Sequence, residues 1–210
     1  EVKAKVNEVR ITNIDPRAST VHWRFADTSG RQLVLEIVGG VPRFYENKLG
    51  VLTNSPGFEW HLTNLNNYVN LFPGGASEHL FGNIELAPLG GGSGFLGLPG
   101  DFTPPSRFVR AAFLQATAFE SILQCFHILN NFDIPIGAQF SEGEIPTDIP
   151  SATQWTAATD MTHRILYYRT MYNSVIRSID LHAIDFSKVQ YRAKPLDVVK
   201  SQTIEIITVE

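Results

Sequence analysis

A chain of 210 residues with 43% hydrophobic and 18% charged side chains can bury a sizeable core, and one domain is the default expectation. A formal net charge of −4 and a pI near 5.9 leave no basic face to neutralise phosphates, which argues against nucleic acid as a partner. No run approaches the roughly 20 apolar residues that span a bilayer, so no membrane partner is expected. The single cysteine, Cys125, excludes an internal disulfide framework.

In chain order, Glu1–Val9 reads as the last turns of an amphipathic helix. With no initiator Met, the sequence is expected to be the later portion of a longer polypeptide. Thr20–Ala26 alternates, with Val21, Trp23 and Phe25 on one side, and Asp27–Gly30 forms a turn. Gln32–Val38 returns with Leu33, Leu35 and Ile37 aligned, Gly39-Gly40 turns again, and Val41–Tyr45 completes an antiparallel meander. Gly50–Thr53 reads as a strand end, Ser55 as an N-cap and Pro56 as the first helical residue. The helix over Pro56–Asn70 would carry Phe58, Leu62, Leu65 and Val69 on one face.

Leu71–Asp101 is long for a loop in a compact domain, so it is read as functional or as an association arm. Thr103 caps and Pro104 opens a helical region reaching about Asn131, broken near Ala118–Ser121. Its later part places Phe119, Ile122, Phe126 and Leu129 at helical spacing. After a loop around Pro135–Pro150, strands are expected at Ala152–Thr159, His163–Thr170 and Ser174–Leu181, and the alternating tail Thr203–Val209 reads as a last strand. Antiparallel strand runs with helices grouped between them indicate an α+β fold with helices on the sheet faces.

Several patterns carry no chemistry. The run Gly90–Gly97 spells Gly92-x-Gly94-x-x-Gly97, but Leu98-Pro99-Gly100 stands where a dinucleotide-binding helix should open, so a flexible loop is expected. The same run misses a nucleophile elbow, because Phe95 occupies the closing glycine's place. The histidines His22, His61, His79, His127, His163 and His182 show no ligand spacing and read as surface or satisfied core residues, so neither metal nor cofactor is expected. Cys125 lies in the apolar segment Ile122–Leu129 and reads as a buried, inert thiol.

Two residues remain. Asn54 falls at the expected strand-to-helix junction, where free backbone N–H groups and the positive helix end favour an anion, although from local sequence alone a turn or capping role is the stronger explanation. Arg107 falls in the first turn of a helix, the wrong end of the dipole for a cation, at a cost of about 0.3–1 kcal/mol. A surface cation, or an ion pair with Asp101, is the plain alternative.

The strings VLTNSPGFEWHLTNLNNYV and GLPGDFTPPSRFVRAAF, with HILNNFDIPIG and SATQWTAATDMTHRILYYRT, resemble hallmark segments of the choloylglycine hydrolase family of bile salt hydrolases and penicillin V acylases. The similarity runs through most of Thr20–Asp180. It implies a four-layer αββα sandwich of the N-terminal-nucleophile hydrolase type, incomplete in this chain, and hydrolysis of a linear amide C–N bond by an N-terminal cysteine. It assigns two active-site residues here: Asn54, from the L-T-N-S-P string, and Arg107, from the T-P-x-S-R-F string. The nucleophile and its other companions belong to an upstream portion, so this chain alone is expected to be inactive. The resemblance further implies a bacterial protein, and with one cysteine and no signal-peptide pattern a cytoplasmic location is expected.

The expected partners are the missing N-terminal portion and a small amide substrate, a bile salt conjugate or penicillin V, with an acyl-homoserine lactone as a third amide. PGFEWHLTNL and DIPIG lean toward the penicillin V acylase side. The family's protruding assembly loop corresponds to Leu71–Asp101, which leads to the expectation of a homotetramer. The reading from another class is a non-catalytic homologue or binding module that keeps the fold without the nucleophile.

Overall fold

The structure is a computed structural model that describes residues 2–9, 12, 21–27, 29–118, 121–147, 152–191 and 193–209. Thr20, Thr28 and Phe119, which the sequence placed in a strand, a turn and a helical face, lie outside the described residues. The chain divides into two compact units, Glu1–Thr117 and Ala118–Glu210.

The first unit opens with the expected helix, α1 (Val2–Lys5), running into a 3₁₀ turn over Val6–Glu8. The meander follows as β1 (Trp23–Ala26), β2 (Gln32–Val38) and β3 (Val41–Glu46), in the order β1-β2-β3. Trp23 pairs with Leu35 and Phe25 with Leu33, while Leu35 pairs with Phe44. These side chains therefore share one face, as period-2 alternation requires. The opposite face holds Val34 and Tyr45, and this is the face that meets the helices. Val34 is fully buried with Val51, Phe58, Phe108 and Ala112. The sheet is thus apolar on both faces: the Val34 side packs against Phe58, Phe108 and Ala112, while Lys3 of α1 lies over Phe44 on the Leu35 side.

Helix α2 (Phe58–Asn64) starts later than Pro56 and ends earlier than Asn70, giving way to a 3₁₀ turn over Leu65–Tyr68. Its N-cap is Gly57 rather than Ser55, so Phe58 and not Pro56 is the first helical residue; the Ser55–Pro56 peptide bond is cis. The segment Gly50–Thr53 is not a strand. Its backbone is instead held by the buried Asn47, whose Oδ1 accepts from Gly50 N–H at 2.8 Å and whose Nδ2 donates to Val51 O at 3.0 Å. Inside the helix, Phe58 and His61 are buried, whereas Leu62 and Val69 are exposed. The apolar face read at spacings of four, three and four holds at Phe58 and Leu65, which pack in the core, and fails at Leu62 and Val69, while His61 faces inward and stacks on Phe108.

The stretch 71–101 is only partly irregular. It contains a hairpin, β4 (His79–Phe81) and β5 (Ile84–Leu86), with Leu80, Phe81 and Ile84 exposed. The glycine run closes back on the loop's start, with Gly94 N–H donating to Gly74 O and Phe72 N–H to Gly94 O. A Cβ on Gly94 would collide with Phe72 O, so this position requires glycine. Helix α3 (Pro104–Gln115) begins as expected, with Thr103 at the N-cap and Pro104 first.

In the second unit, α4 (Ile122–Leu129) is capped by Ser121 Oγ, which accepts from Gln124 N–H. The expected break is present at Ser121 and in the turn after α3; Phe119 and Glu120, between them, lie outside the described residues. The second meander is β6 (Trp155–Asp160), β7 (Ile165–Thr170) and β8 (Asn173–Asp180), in that order. Phe126 of α4 is buried under the Arg169 guanidinium, 5.6 Å from the ring centroid, and Arg169 pairs with Asp133 at 2.6 Å. The tail Thr203–Val209 is not a strand: Ile204, Ile206 and Val209 are exposed, since alternation produces a strand only where a sheet edge supplies ladder partners. The two meanders and their helices make the α+β class plain.

Candidate active site

The site grows from a contact between two distant loops of the first unit. Arg107 sits in the first turn of α3, where backbone N–H groups would otherwise repel a cation. Its guanidinium is held in place by two carbonyl-type acceptors. Nε donates to Phe102 O at 3.0 Å, and Nη2 donates to Asn54 Oδ1 at 3.0 Å. Asp101 is not its partner. That carboxylate accepts instead from Thr103 N–H at 2.8 Å and Ser106 O–H at 2.5 Å, bonds that pull its pKa down to about 2. Burial and the neighbouring Arg110 push the Arg107 pKa down. Arg107 is therefore a half-buried cation facing an amide and a backbone carbonyl, with charge left to offer.

A guanidinium can only donate, so Asn54 Oδ1 must face it, and the two hydrogens of Asn54 Nδ2 are turned away from Arg107. This fixes the side chain as a donor with a defined direction. On its other side, Asn54 is held through its backbone, whose carbonyl accepts from His61 Nε2 at 2.8 Å. Thr53 Oγ1 donates to Pro104 O at 3.2 Å and so ties the Asn54 loop to the start of α3.

The positive end of α2 is not vacant for an anion near Asn54. Glu36, buried on β2, places Oε1 2.7 Å from Phe58 N and accepts that hydrogen bond. Gly57 makes room for it, since a Cβ there would lie 3.1 Å from Glu36 Oε2. His22 Nδ1 stands 3.1 Å from the same carboxylate. The anion that the helix dipole favours is supplied by the chain itself.

Arg110 pins the approach to α3, with Nη1 donating to Pro99 O at 2.8 Å and to Asp101 O at 2.6 Å. Outside this cluster, Cys125 is partly buried and its burial pushes the thiol pKa up, which disfavours the thiolate a nucleophile needs. His61 is a core residue bonded through Nε2, whereas His163 is exposed and bonded to Asp160 at 2.7 Å. Glu36 and His61 escaped the sequence reading as parts of a site: one looks like an ordinary alternating strand residue, and the other carries no ligand spacing.

Placed together, a directed amide donor and a partly desolvated guanidinium are groups whose chemistry suits a developing negative charge. The family described as linear amide C–N hydrolases, choloylglycine hydrolase family, matches residues 1–198. The chain belongs to the choloylglycine hydrolase family. It is 37% identical over 192 residues to a bile salt hydrolase/transferase of Clostridium perfringens, covering 87% of this chain and 57% of that protein. A crystal structure of a mutant conjugated bile acid hydrolase from the same organism superposes with a TM-score of 0.75 at 34% identity, over 89% of this chain and 57% of the other. A penicillin V acylase of Pectobacterium atrosepticum is 25% identical over 206 residues, covering 89% of this chain and 48% of its own length. The chain thus spans about half the length of these choloylglycine hydrolase relatives.

Proposed function

We propose that this chain is the C-terminal portion of an N-terminal-nucleophile amidase acting on conjugated bile salts, with Asn54 and Arg107 as its share of the active site. The observation that carries the reading is the Arg107–Asn54 hydrogen bond, which commits Oδ1 and leaves Nδ2–H to donate. In the proposed reaction, a cysteine supplied from upstream gives its thiol proton to its own α-amino group, and the thiolate attacks the amide carbonyl. The carbonyl oxygen gains charge as the tetrahedral intermediate forms, and Asn54 Nδ2–H donates to it. Arg107 holds the thiolate in its ionised form. Collapse expels the amine, which takes a proton from the cysteine's own α-amino group, and water then releases the acid from the acyl-enzyme.

The bile salt assignment is supported by the higher identity to a bile salt hydrolase than to a penicillin V acylase. A four-layer αββα domain is supported by the sheet's two apolar faces, one for helices and the other for a second sheet. A homotetramer formed through residues 71–101 is supported by the exposed apolar hairpin there.

The test is hydrolysis of glycine-conjugated bile salts against penicillin V by the native polypeptide, with intact-mass measurement of its N-terminus. A terminal cysteine and bile salt turnover are the expected results. Absence of that cysteine would leave a binding module, and turnover of penicillin V alone would move the substrate. This chain by itself should hydrolyse neither.

A further inference from the structure

Resting on the proposed amidase reading, we infer that His61 is a positioning residue for Asn54, holding it through a neutral ring whose proton is on Nε2. The ring is fully buried on α2 and makes two contacts that matter. Its edge reaches Asn54, where Nε2 stands 2.8 Å from the backbone carbonyl oxygen and 3.4 Å from Thr53 Oγ1. Its face lies on Phe108, with centroids 4.6 Å apart and planes 7° from parallel. Phe108 follows Arg107 in sequence on α3. One ring therefore braces the two arms that meet at the Asn54–Arg107 bond.

The tautomer follows from the partners. A carbonyl oxygen can only accept, so Nε2 must carry hydrogen. Among the described residues the buried Nδ1 has no hydrogen-bond partner, and a proton there would be an unpaired buried donor. Burial also lowers the pKa of the ring, in keeping with a neutral imidazole. The result is a fixed one-proton donor aimed at the backbone of the proposed oxyanion residue. Released from it, the Asn54 peptide can rotate and carry the amide with it, because the Arg107 bond sets which end of the amide faces the guanidinium but not where the Asn54 backbone sits.

The experiment compares His61→Phe, His61→Gln and Asn54→Ala in the complete protein, assayed on a glycine-conjugated bile salt. Phe keeps the stack on Phe108 and loses the donor, whereas the Gln amide can restore it. His61→Phe should lower kcat about tenfold or more with KM within about threefold, and His61→Gln should recover most of that loss. If Asn54→Ala loses its rate while His61→Phe stays within twofold of the parent, the inference is overturned and the amidase reading stands. If Asn54→Ala keeps its rate, both fall. Independent of activity, ¹⁵N NMR of the ring should show protonated Nε2 and bare Nδ1 at neutral pH. An Nδ1–H tautomer, or a ring titrating near 6.5, overturns the inference, and this measurement decides should His61→Phe fail to fold.

Discussion

Arg107 Nη2 donates to Asn54 Oδ1 at 3.0 Å across 53 residues of sequence. The bond does more than join two loops. It orients an amide that would otherwise be free to flip, because only the oxygen can face a guanidinium. It also explains a cation in the opening turn of α3, where helix stability alone disfavours one.

Asn54→Ala and Asn54→Asp separate the two uses of that side chain. Both remove the Nδ2 donor, but aspartate keeps an acceptor for Arg107 and adds a charge pair. In the complete enzyme each is expected to lower kcat by about 100–1,000-fold, the loss typical of one oxyanion donor. The melting temperature of Asn54→Asp should match or exceed that of the parent. A near-normal rate in either variant removes Asn54 from the mechanism.

Arg107→Lys keeps the charge and discards the geometry. The planar guanidinium serves Phe102 O through Nε and Asn54 Oδ1 through Nη2 at once, and a single ammonium nitrogen cannot reach both. We expect kcat to fall about tenfold or more, the scale set by small misplacements of catalytic groups. A less well stabilised thiolate should also shift the acidic limb of the pH–rate profile to higher pH. An unmoved profile with a normal rate would show that Arg107 serves neither role.

Asp101 provides a pH test of the cap on α3. Its folded pKa is depressed to about 2 by the Ser106 and Thr103 bonds, below the ordinary value of 3.8. The sign is that of a depressed carboxylate. Its stabilisation is fully present above about pH 4 and is lost as pH falls toward 2. Asp101→Asn should therefore weaken the protein at neutral pH, flatten the acid limb of the melting-temperature profile between pH 4 and 2, and converge with the parent at the acid end. An acid limb as steep as the parent's would contradict the assignment.

The exposed hairpin of β4 and β5 tests assembly. Leu80 and Phe81 are each 72% exposed and Ile84 62%, a density of apolar side chains that a monomer rarely leaves in water. Deleting Gly74–Pro88 from the complete protein should convert the proposed tetramer into smaller species in sedimentation velocity. An unchanged mass would place the assembly surface elsewhere.

The meanders were legible because period-2 alternation is local: β2 and most of β3, β7 and β8 lie where Leu33–Ile37 and their counterparts placed them. The start of α3 was equally legible, since Thr103 and Pro104 act within one turn. What escaped depends on contacts far apart in sequence. Gly57 caps α2 because Glu36, 22 residues before Phe58, occupies the site a local cap would fill. His61 turns inward because it stacks on Phe108, 47 residues later. The tail Thr203–Val209 shows the converse, since alternation cannot say whether a ladder partner is present. Asn54 and Arg107 could be singled out from the two strings, but only the fold brings them to 3.0 Å.

Glu36 carries the last prediction. Its carboxylate is 97% buried and bonds the first N–H of α2, so its charge meets the positive end of the helix in a desolvated setting. Such a placement is worth up to ~2 kcal/mol. Glu36→Gln keeps an oxygen for Phe58 N–H but loses the charge, and should cost about 1–2 kcal/mol. Glu36→Ala also leaves that N–H unpaired beside Gly57, adding about 1–3 kcal/mol. Urea unfolding of the complete protein should therefore rank parent above Gln above Ala. The Asn54 loop runs directly into this helix, so Glu36→Ala should lower kcat as well, while Glu36→Gln should affect it less. Equal stability of parent and Gln would mean that the hydrogen bond, and not the charge, holds the start of α2.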